Sequence, residues 1–292
     1  MNWDDVRIFL AVARQKQILG AARSLQLNHA TVARRLTALE QALGTRLFVR
    51  KTNGSDLSAE GEKFLGFAEA MESQMLAAQE ATGGGEAISG TVRVGAPDGF
   101  GVAFLAPRLG ELIERHKGLR IELVPVPRTF SLSRREADIA VTLERPREGR
   151  LVARKLTDYR LGLYASADYL ARHGTPERLE DLGGHRLVGY VDDLLFSASL
   201  DYTADYLKSW RSALAVSSAM GQTEAVRAGA GIGILHSFMA RRDTALVPVL
   251  PEHVLTRSYW TVVHEDLRAI RRVAVVAEFL AEVVGRDRTI FG

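Results

Sequence analysis

The sequence predicts two domains of different class, a small helical head and a larger α/β body joined by one long helix. Three observations carry this. Apolar residues recur at helical spacing through the first sixty positions, a heptad-like stripe runs from 64 to 82, and beyond a triple glycine short extended runs alternate with helical ones.

In the head, Val6, Phe9, Leu10 and Ala13 form an i, i+3, i+4, i+7 stripe for a first helix that Asn2 caps. Gly20, Ala21 and Ala22 are small where a second helix must cross a third closely. Leu27 and Asn28 form the turn, and Asn28 caps the third helix, whose residues Val32, Leu36, Leu39 and Leu43 make one buried stripe. The same arithmetic turns Ala30, Thr31, Arg34, Thr37 and Ala38 outward. Gly44 stops the helix, and Asn53-Gly54 between two short extended runs reads as a β-hairpin. Three helices and a hairpin in this order predict a winged helix-turn-helix. A free helix face with a guanidinium, a hydroxyl and small side chains fits a major groove of double-stranded DNA.

In that reading Asn28, His29 and Ala30 open the reading helix, and Thr31 and Arg34, with His29 beside them, contact bases. Arg35, Arg46, Arg50 and Lys51 hold phosphates. Charge distribution agrees. The whole chain carries only +3, but residues 1–58 hold nine Lys/Arg against four Asp/Glu, whereas residues 59–87 hold one Lys against six Glu. A basic head followed by an acidic segment is the footprint of a local nucleic-acid module.

From the cap Ser58 a single helix is expected to about Glu80. Phe64, Ala68, Met71, Met75, Ala78 and Thr82 follow spacings of four and three, the period of a narrow seam between two helices. The alternative is a helix packed on its own domain. After Gly83-Gly84-Gly85, strands are expected at 91–95, 121–126, 138–143, 151–156, 161–164, 187–190, 214–217, 232–235 and 259–263. Helices are expected at 107–116, 167–172, 223–228, 237–242 and 267–284. Such alternation implies parallel α/β sheets covered on both faces.

The run from Ala21 to Gly61 resembles the N-terminal region of LysR-type transcriptional regulators. The matching residues are Phe9, Ala21-Ala22, Leu25, Val32, Leu36, Leu39-Glu40, Leu43-Gly44, Leu47-Phe48, Arg50, Leu57 and Gly61. The chain departs from the family at Gln17-Ile18-Leu19-Gly20, where a Gly-Ser-type opening is usual, and at Asn28-His29-Ala30, where Ser-Gln-Pro is common. The roughly 200 residues that follow resemble the family's effector domain, of type 2 periplasmic-binding-protein-like architecture. Its landmarks here are Leu105-Ala106-Pro107-Arg108-Leu109, Glu136-Ala137-Asp138-Ile139-Ala140 and Ala228-Gly229-Ala230-Gly231-Ile232-Gly233.

The resemblance implies a head at 1–58, a linker and dimerisation helix at 59–87 and an effector domain at 88–292. Two α/β lobes, 91–159 with 265–292 and 161–264, would be joined by crossings near 158–161 and 264–267. It implies a small-molecule effector between the lobes, a dimer through the linker helix or a tetramer on a pseudo-palindromic promoter site, and contact with RNA polymerase. Ligands of open α/β sheets sit beyond the carboxyl ends of strands. The matching loops supply Asp98, Gly99, Phe100 and Gly101, then Thr129 and Ser131, then Tyr190 and Asp192, and last Ser217, Ser218 and Gln222. Backbone N–H groups at 99–102 precede a helix and suit an anion, whereas Asp98 with Asp192 and Asp193 suits an amine or several hydroxyls. Asp98 capping the following turn is the alternative.

Composition narrows the rest. The chain has 292 residues, 47% apolar and 25% charged, room for more than one core. Without cysteine there is neither a disulfide framework nor a cysteine-ligated metal. The opening MNWDDVRIF has acids where a secretory leader has basic residues, and no apolar run spans a bilayer, so a cytoplasmic protein with no membrane partner is expected. The segment Gly229-Ala230-Gly231-Ile232-Gly233 does not match a dinucleotide loop, and the seven His residues show no ligand spacing. No cofactor, metal or catalytic residue is expected. An α/β enzyme with an accessory DNA-interaction head and a solute-binding protein are the alternatives, the first lacking a catalytic motif and the second an export signal.

Overall fold

The computed structural model describes residues 2–51, 54–82, 88–126, 128, 130, 132, 136–146 and 148–292. The chain divides into two compact units. The first comprises Met1–Glu86 with Ser131–Glu136 and His264–Arg271, and the second comprises the remainder.

In the first unit α1 (Trp3–Gln15) starts at a capping box. The Asn2 side chain accepts from Asp5 N–H at 2.9 Å, and the Asp5 carboxylate accepts from Asn2 N–H at 3.1 Å. Helices α2 (Ile18–Leu25) and α3 (His29–Leu43) pack with it around Val6, Phe9, Leu10, Val32 and Leu39, all 0% exposed. Ala21 and Ala22 are buried at this crossing as expected, and α3 ends at Gly44 in the left-handed region.

Strands β1 (Phe48–Lys51) and β2 (Gly54–Leu57) pair antiparallel with Lys51 opposite Gly54. Asn53 lies outside the described residues, and Gly54 is the first residue of β2. Its role is close approach: Ser55 N–H donates to Lys16 O at 2.9 Å, and a Cβ on Gly54 would lie 2.5 Å from that same oxygen. Glu40 fastens the other strand to α3, its Oε1 accepting from Leu47 N–H (2.8 Å) and Phe48 N–H (3.2 Å).

Helix α4 (Ala59–Thr82) begins where Ser58 Oγ accepts from Gly61 N–H at 2.9 Å. The expected seam divides along its length. Phe64 sets its ring edge on Phe9 at 4.9 Å, Ala68 is fully buried and Met71 packs on the same core. Met75 and Ala78 stay exposed. Arg14 and Glu72 add a bidentate ion pair between α1 and α4 (3.1 and 2.6 Å). The N-terminal half of the stripe thus serves the head's own core, because three helices and a two-stranded wing are too little to enclose Phe9.

The second unit is built on an eight-stranded sheet, β4-β3-β5-β10-β6-β9-β7-β8. Lobe one contains β3 (Ser89–Ala96), β4 (Gly118–Pro125) and β5 (Ile139–Thr142), with β3 parallel to both neighbours. Lobe two contains β7 (Leu187–Gly189), β8 (Ser212–Ala215) and β9 (Ile232–His236), with β7 parallel to β8 and β9. Two long strands, β6 (Leu151–Ser166) and β10 (Leu246–His264), pass from one lobe to the other and make the sheet mixed rather than parallel.

The runs expected as separate strands at 151–156 and 161–164 are one strand of 16 residues. The second crossing is also displaced from 264–267. Leu246 lies in the core of lobe two, whereas Trp260–Val263 already pair with β5 of lobe one, so β10 crosses ahead of Trp260. Pro248, Pro251 and Leu250, the last at φ +48°, lie on that passage, yet the strand runs through them without breaking.

Beyond β3 the chain enters α5 (Asp98–Phe100), continues through a π turn (Gly101–Leu105) and a 3-10 turn (Ala106–Arg108), and finishes as α6 (Leu109–Arg115). Lobe two carries α7 (Ala167–His173), α8 (Ala219–Arg227) and α9 (Ser237–Ala240). The C-terminal α10 (Arg271–Arg286) buries Val273, Val276, Phe279, Leu280 and Val283 and is tied to α6 by an Arg115–Glu282 and an Arg286–Glu111 pair.

Candidate nucleic-acid interface and inter-lobe cleft

The exposed face of α3 is the one the periodicity assigns. Asn28 accepts from Ala30 N–H at 2.8 Å through its side chain, which fixes the helix start. His29, Ala30, Arg34, Thr37 and Ala38 are exposed and Thr31 is half-buried. Thr37 turns its hydroxyl back to Ala33 O (3.0 Å), leaving its methyl outward. Arg34 has no ion-pair partner among the described residues, so its guanidinium keeps its full donor set.

Arg35 differs. It pairs with Asp4 at 3.3 Å and lies 3.9 Å from Asp5, both at the start of α1. Its place is between helices, and a phosphate would have to compete with two carboxylates. Arg46 is exposed just before β1; Arg50 and Lys51 lie on β1 opposite Ser55 and Gly54. Arg23, on α2, is a further exposed guanidinium without an ion pair among the described residues. No local signal in the sequence sets Arg23 apart from an ordinary solvated charge on α2.

The expected cleft residues separate into three groups. Thr129 and Ser131 lie outside the described residues. Tyr190 and Asp192 line a cavity of about 860 Å³ beyond the carboxyl end of β7, together with Asp193, Asp201, Trp210 and Arg211.

The remaining residues are occupied by the protein itself. Asp98 is 6% exposed, and its Oδ2 accepts from Ser218 Oγ at 2.6 Å and from Met220 N–H at 3.1 Å. It does not cap its own turn; it reaches the start of α8 in the other lobe. Phe100 is fully buried, its ring 4.7 Å from Tyr259 and 5.1 Å from Phe104. Gly99 and Gly101 are packing positions: a Cβ would lie 3.2 Å from Ala219 Cβ at the first and 2.7 Å from Pro125 Cβ at the second. Gly101 N–H donates to Pro97 O, so it is already used within the chain. Gln222 spends its amide on Val216 O (2.9 Å), holding the loop before α8, where Ser217 is half-buried.

Sequence reasoning missed the ring stack behind this contact. Tyr259 of β10 stacks on Tyr159 of β6 at 4.1 Å, and Tyr159 stacks on His236 of β9 at 5.2 Å. With Phe100 these rings run from lobe one to lobe two. Burial lowers the His236 pKa to about 4 against the pull of the nearby Asp98 charge, so the imidazole is neutral at pH 7. Burial likewise raises the Tyr190 pKa, with the Asp98 charge and Tyr159 adding to it, and raises those of Tyr202 and Tyr259. All three phenols stay protonated donors. The Tyr259 hydroxyl is buried and has no hydrogen-bond partner among the described residues. No local motif announces such a stack, because its members come from strands a hundred residues apart.

A helix-turn-helix head with a wing, linked to a two-lobed α/β domain, defines a transcription regulator whose DNA-binding part is coupled to a substrate-binding part. Comparison with known proteins says which kind. Residues 3–62 match the model of the bacterial regulatory helix-turn-helix proteins of the lysR family, and residues 85–285 match the LysR substrate binding domain. The chain belongs to the LysR-type transcriptional regulators, and it is a DNA-binding regulator with an effector-binding domain.

It is similar to the HTH-type transcriptional regulator CrgA of Neisseria meningitidis serogroup C, 30% identical over 294 residues covering 98% of each chain. The structure of CrgA from Neisseria meningitidis superposes with a TM-score of 0.60 at 27% identity, covering 98% of this chain and 99% of that one. Full-length LysG from Corynebacterium glutamicum with bound effector Arg shares the fold, with a TM-score of 0.69 at 18% identity and coverage of 98% and 99%. Among the described residues no helix is long and apolar enough to cross a membrane.

Proposed function

We propose that this regulator is a cytoplasmic homo-oligomer that reads a pseudo-palindromic promoter site with α3 and answers to a small molecule bound between its lobes. The observation that carries the reading is the outward face of α3, where His29, Ala30 and an unpaired Arg34 stand exposed behind the Asn28 cap. Thr31 and Arg34 read bases, with His29 beside them. Arg46, Arg50 and Lys51 hold phosphates, and Arg35 joins them only by exchanging Asp4 for phosphate. A dimer formed through α4 sets two reading helices on successive half-sites, and pairing of dimers gives a tetramer placed to contact RNA polymerase. The exposed C-terminal half of the α4 stripe, Met75 and Ala78, supports pairing there.

In the larger domain the effector binds in the cleft bordered by Asp98, Tyr190, Asp192, Ser217 and Ser218. It acts by its differential affinity for two arrangements of the lobes. Genome-wide capture of DNA by the purified full chain, followed by a footprint at the strongest site, tests the reading. A protected pseudo-palindrome one to two helical turns wide is expected, with affinity falling by about 10³–10⁵ between 50 and 200 mM salt. Protection no stronger than on random duplex would refute it.

A further inference from the structure

Asp98 is the point at which the two lobes are fastened. Its carboxylate belongs to lobe one, just beyond the carboxyl end of β3, and both groups it bonds belong to lobe two. Ser218 Oγ donates to Oδ2 at 2.6 Å, Met220 N–H donates to the same oxygen at 3.1 Å, and Ser218 Oγ in turn accepts from Gly221 N–H at 3.1 Å. The first turn of a nine-residue helix offers N–H donors and the positive end of a dipole. Here one of those donors, Met220 N–H, is spent on a carboxylate of the same chain.

Two separate observations show that the contact is close and that it closes over polar groups. Gly99 lies so near α8 and α9 that a Cβ on it would stand 3.2 Å from both Ala219 Cβ and Met239 Sδ, each in lobe two. The Tyr259 hydroxyl, in the ring stack that spans the lobes, is buried without a partner among the described residues. Buried hydroxyls are normally satisfied.

We propose that Asp98 is a tethered stand-in for an acidic ligand, a clasp that holds the cleft closed with no effector bound and denies the α8 N-terminus to carboxylates and phosphates. The proposal rests on the reading that the effector binds between the lobes, and it adds the specificity of that site. The effector this chain admits presents no acidic group to α8. Among the described residues no Lys or Arg is buried near Asp98 to receive one, and the charged groups that line the neighbouring cavity are Asp192, Asp193, Asp201 and Arg211.

The test uses the full-length wild type, Asp98→Ala and the near-isosteric Asp98→Asn, with sodium sulfate and sodium acetate as probes against sodium chloride at equal ionic strength. Amide hydrogen exchange of the segment 216–223 and thermal melting are read. In the wild type that segment is expected to be protected, and the anions raise the melting temperature only by the general exclusion effect of sulfate, which the response of Asp98→Ala must exceed. In Asp98→Ala its exchange is expected to quicken by on the order of tenfold or more, because the hydrogen bonds from Ser218 Oγ and Met220 N–H are both lost. Sulfate or acetate restores the protection and raises the melting temperature, and Asp98→Asn falls between.

Unchanged exchange in both variants, or a wild type that responds to the anions as strongly as Asp98→Ala, would overturn the proposal. Should Asp98→Ala fail to fold, Asp98→Asn carries the same exchange criterion. The effector reading is tested separately by footprinting Asp98→Ala on its operator with and without acetate. A footprint that ignores an anion shown by exchange to be bound counts against cleft control of DNA binding while leaving the clasp intact.

Discussion

His236 makes the stability of the effector domain depend on pH, and the structure supplies sign and size. The side chain closes β9 at 6% exposure, flat against Tyr159 (5.2 Å, 13°) and edge-on to Phe238 (5.5 Å, 75°). Burial brings its pKa from 6.5 to about 4, and the Asp98 carboxylate facing it pulls the other way without overcoming that loss of hydration. Between those values the unfolded chain binds a proton that the folded chain refuses. The stability contributed by the neutral ring is therefore complete above pH 6.5, declines as the pH falls, and is gone near pH 4.

At about 1.4 kcal/mol per tenfold change in proton affinity, the gap amounts to about 3 kcal/mol. For a domain of roughly 200 residues this is a shift of about 6–12 °C in melting temperature. Calorimetry of the full chain from pH 7.5 to 4 measures it, with His236→Phe as the reference that keeps the stack on Tyr159 but cannot titrate. The wild type is expected to lose more stability than the variant across that window. Parallel curves for the two proteins, or an imidazole resonance of His236 titrating near 6.5, would refute the reasoning.

Four further outcomes follow from the head. Arg34→Ala should weaken operator binding by about 1–3 kcal/mol with no change in melting, as gel shifts on specific and random duplexes will distinguish a base contact from a phosphate contact. Glu40→Ala leaves the buried N–H groups of Leu47 and Phe48 without their shared acceptor, costing the head roughly 2–4 kcal/mol in urea unfolding, whereas Glu40→Gln retains an acceptor and recovers part of it. Gly61→Ala drives a Cβ to 2.0 Å from Leu47 O and should destabilise the head by about 1–3 kcal/mol. Gly66→Ala on the same helix meets nothing within 4 Å and should instead stabilise it by about 0.5–1 kcal/mol.

The head was legible because its information is local. The stripe Val32, Leu36, Leu39 is set by helical geometry alone, as are its cap Asn28 and its stop Gly44, so burial and exposure on α3 followed from spacing. Phe64, Ala68 and Met71 show where that logic runs out. A spacing of four and three says that a helix face will be covered, but the covering surface depends on what else the fold brings near, and here it is Phe9 of the same chain. The passage of β10 between lobes was hidden for a related reason: Pro248, Leu250 and Pro251 perturb the run locally, but which lobe each end of the strand joins depends on partners far away in sequence.

The cleft lay furthest from sequence reasoning. Asp98, Ser218 and Gln222 could be named as residues near strand ends, yet nothing local tells a carboxylate whether it will face a ligand or an amide 122 residues away. Nor could spacing bring Tyr159, His236 and Tyr259 into one stack. Periodicity and turn chemistry, acting over a few residues, determined the classes of the domains and the exposed face of α3. Which polar groups are satisfied by the chain itself is decided by long-range packing, and only the tertiary structure settles it.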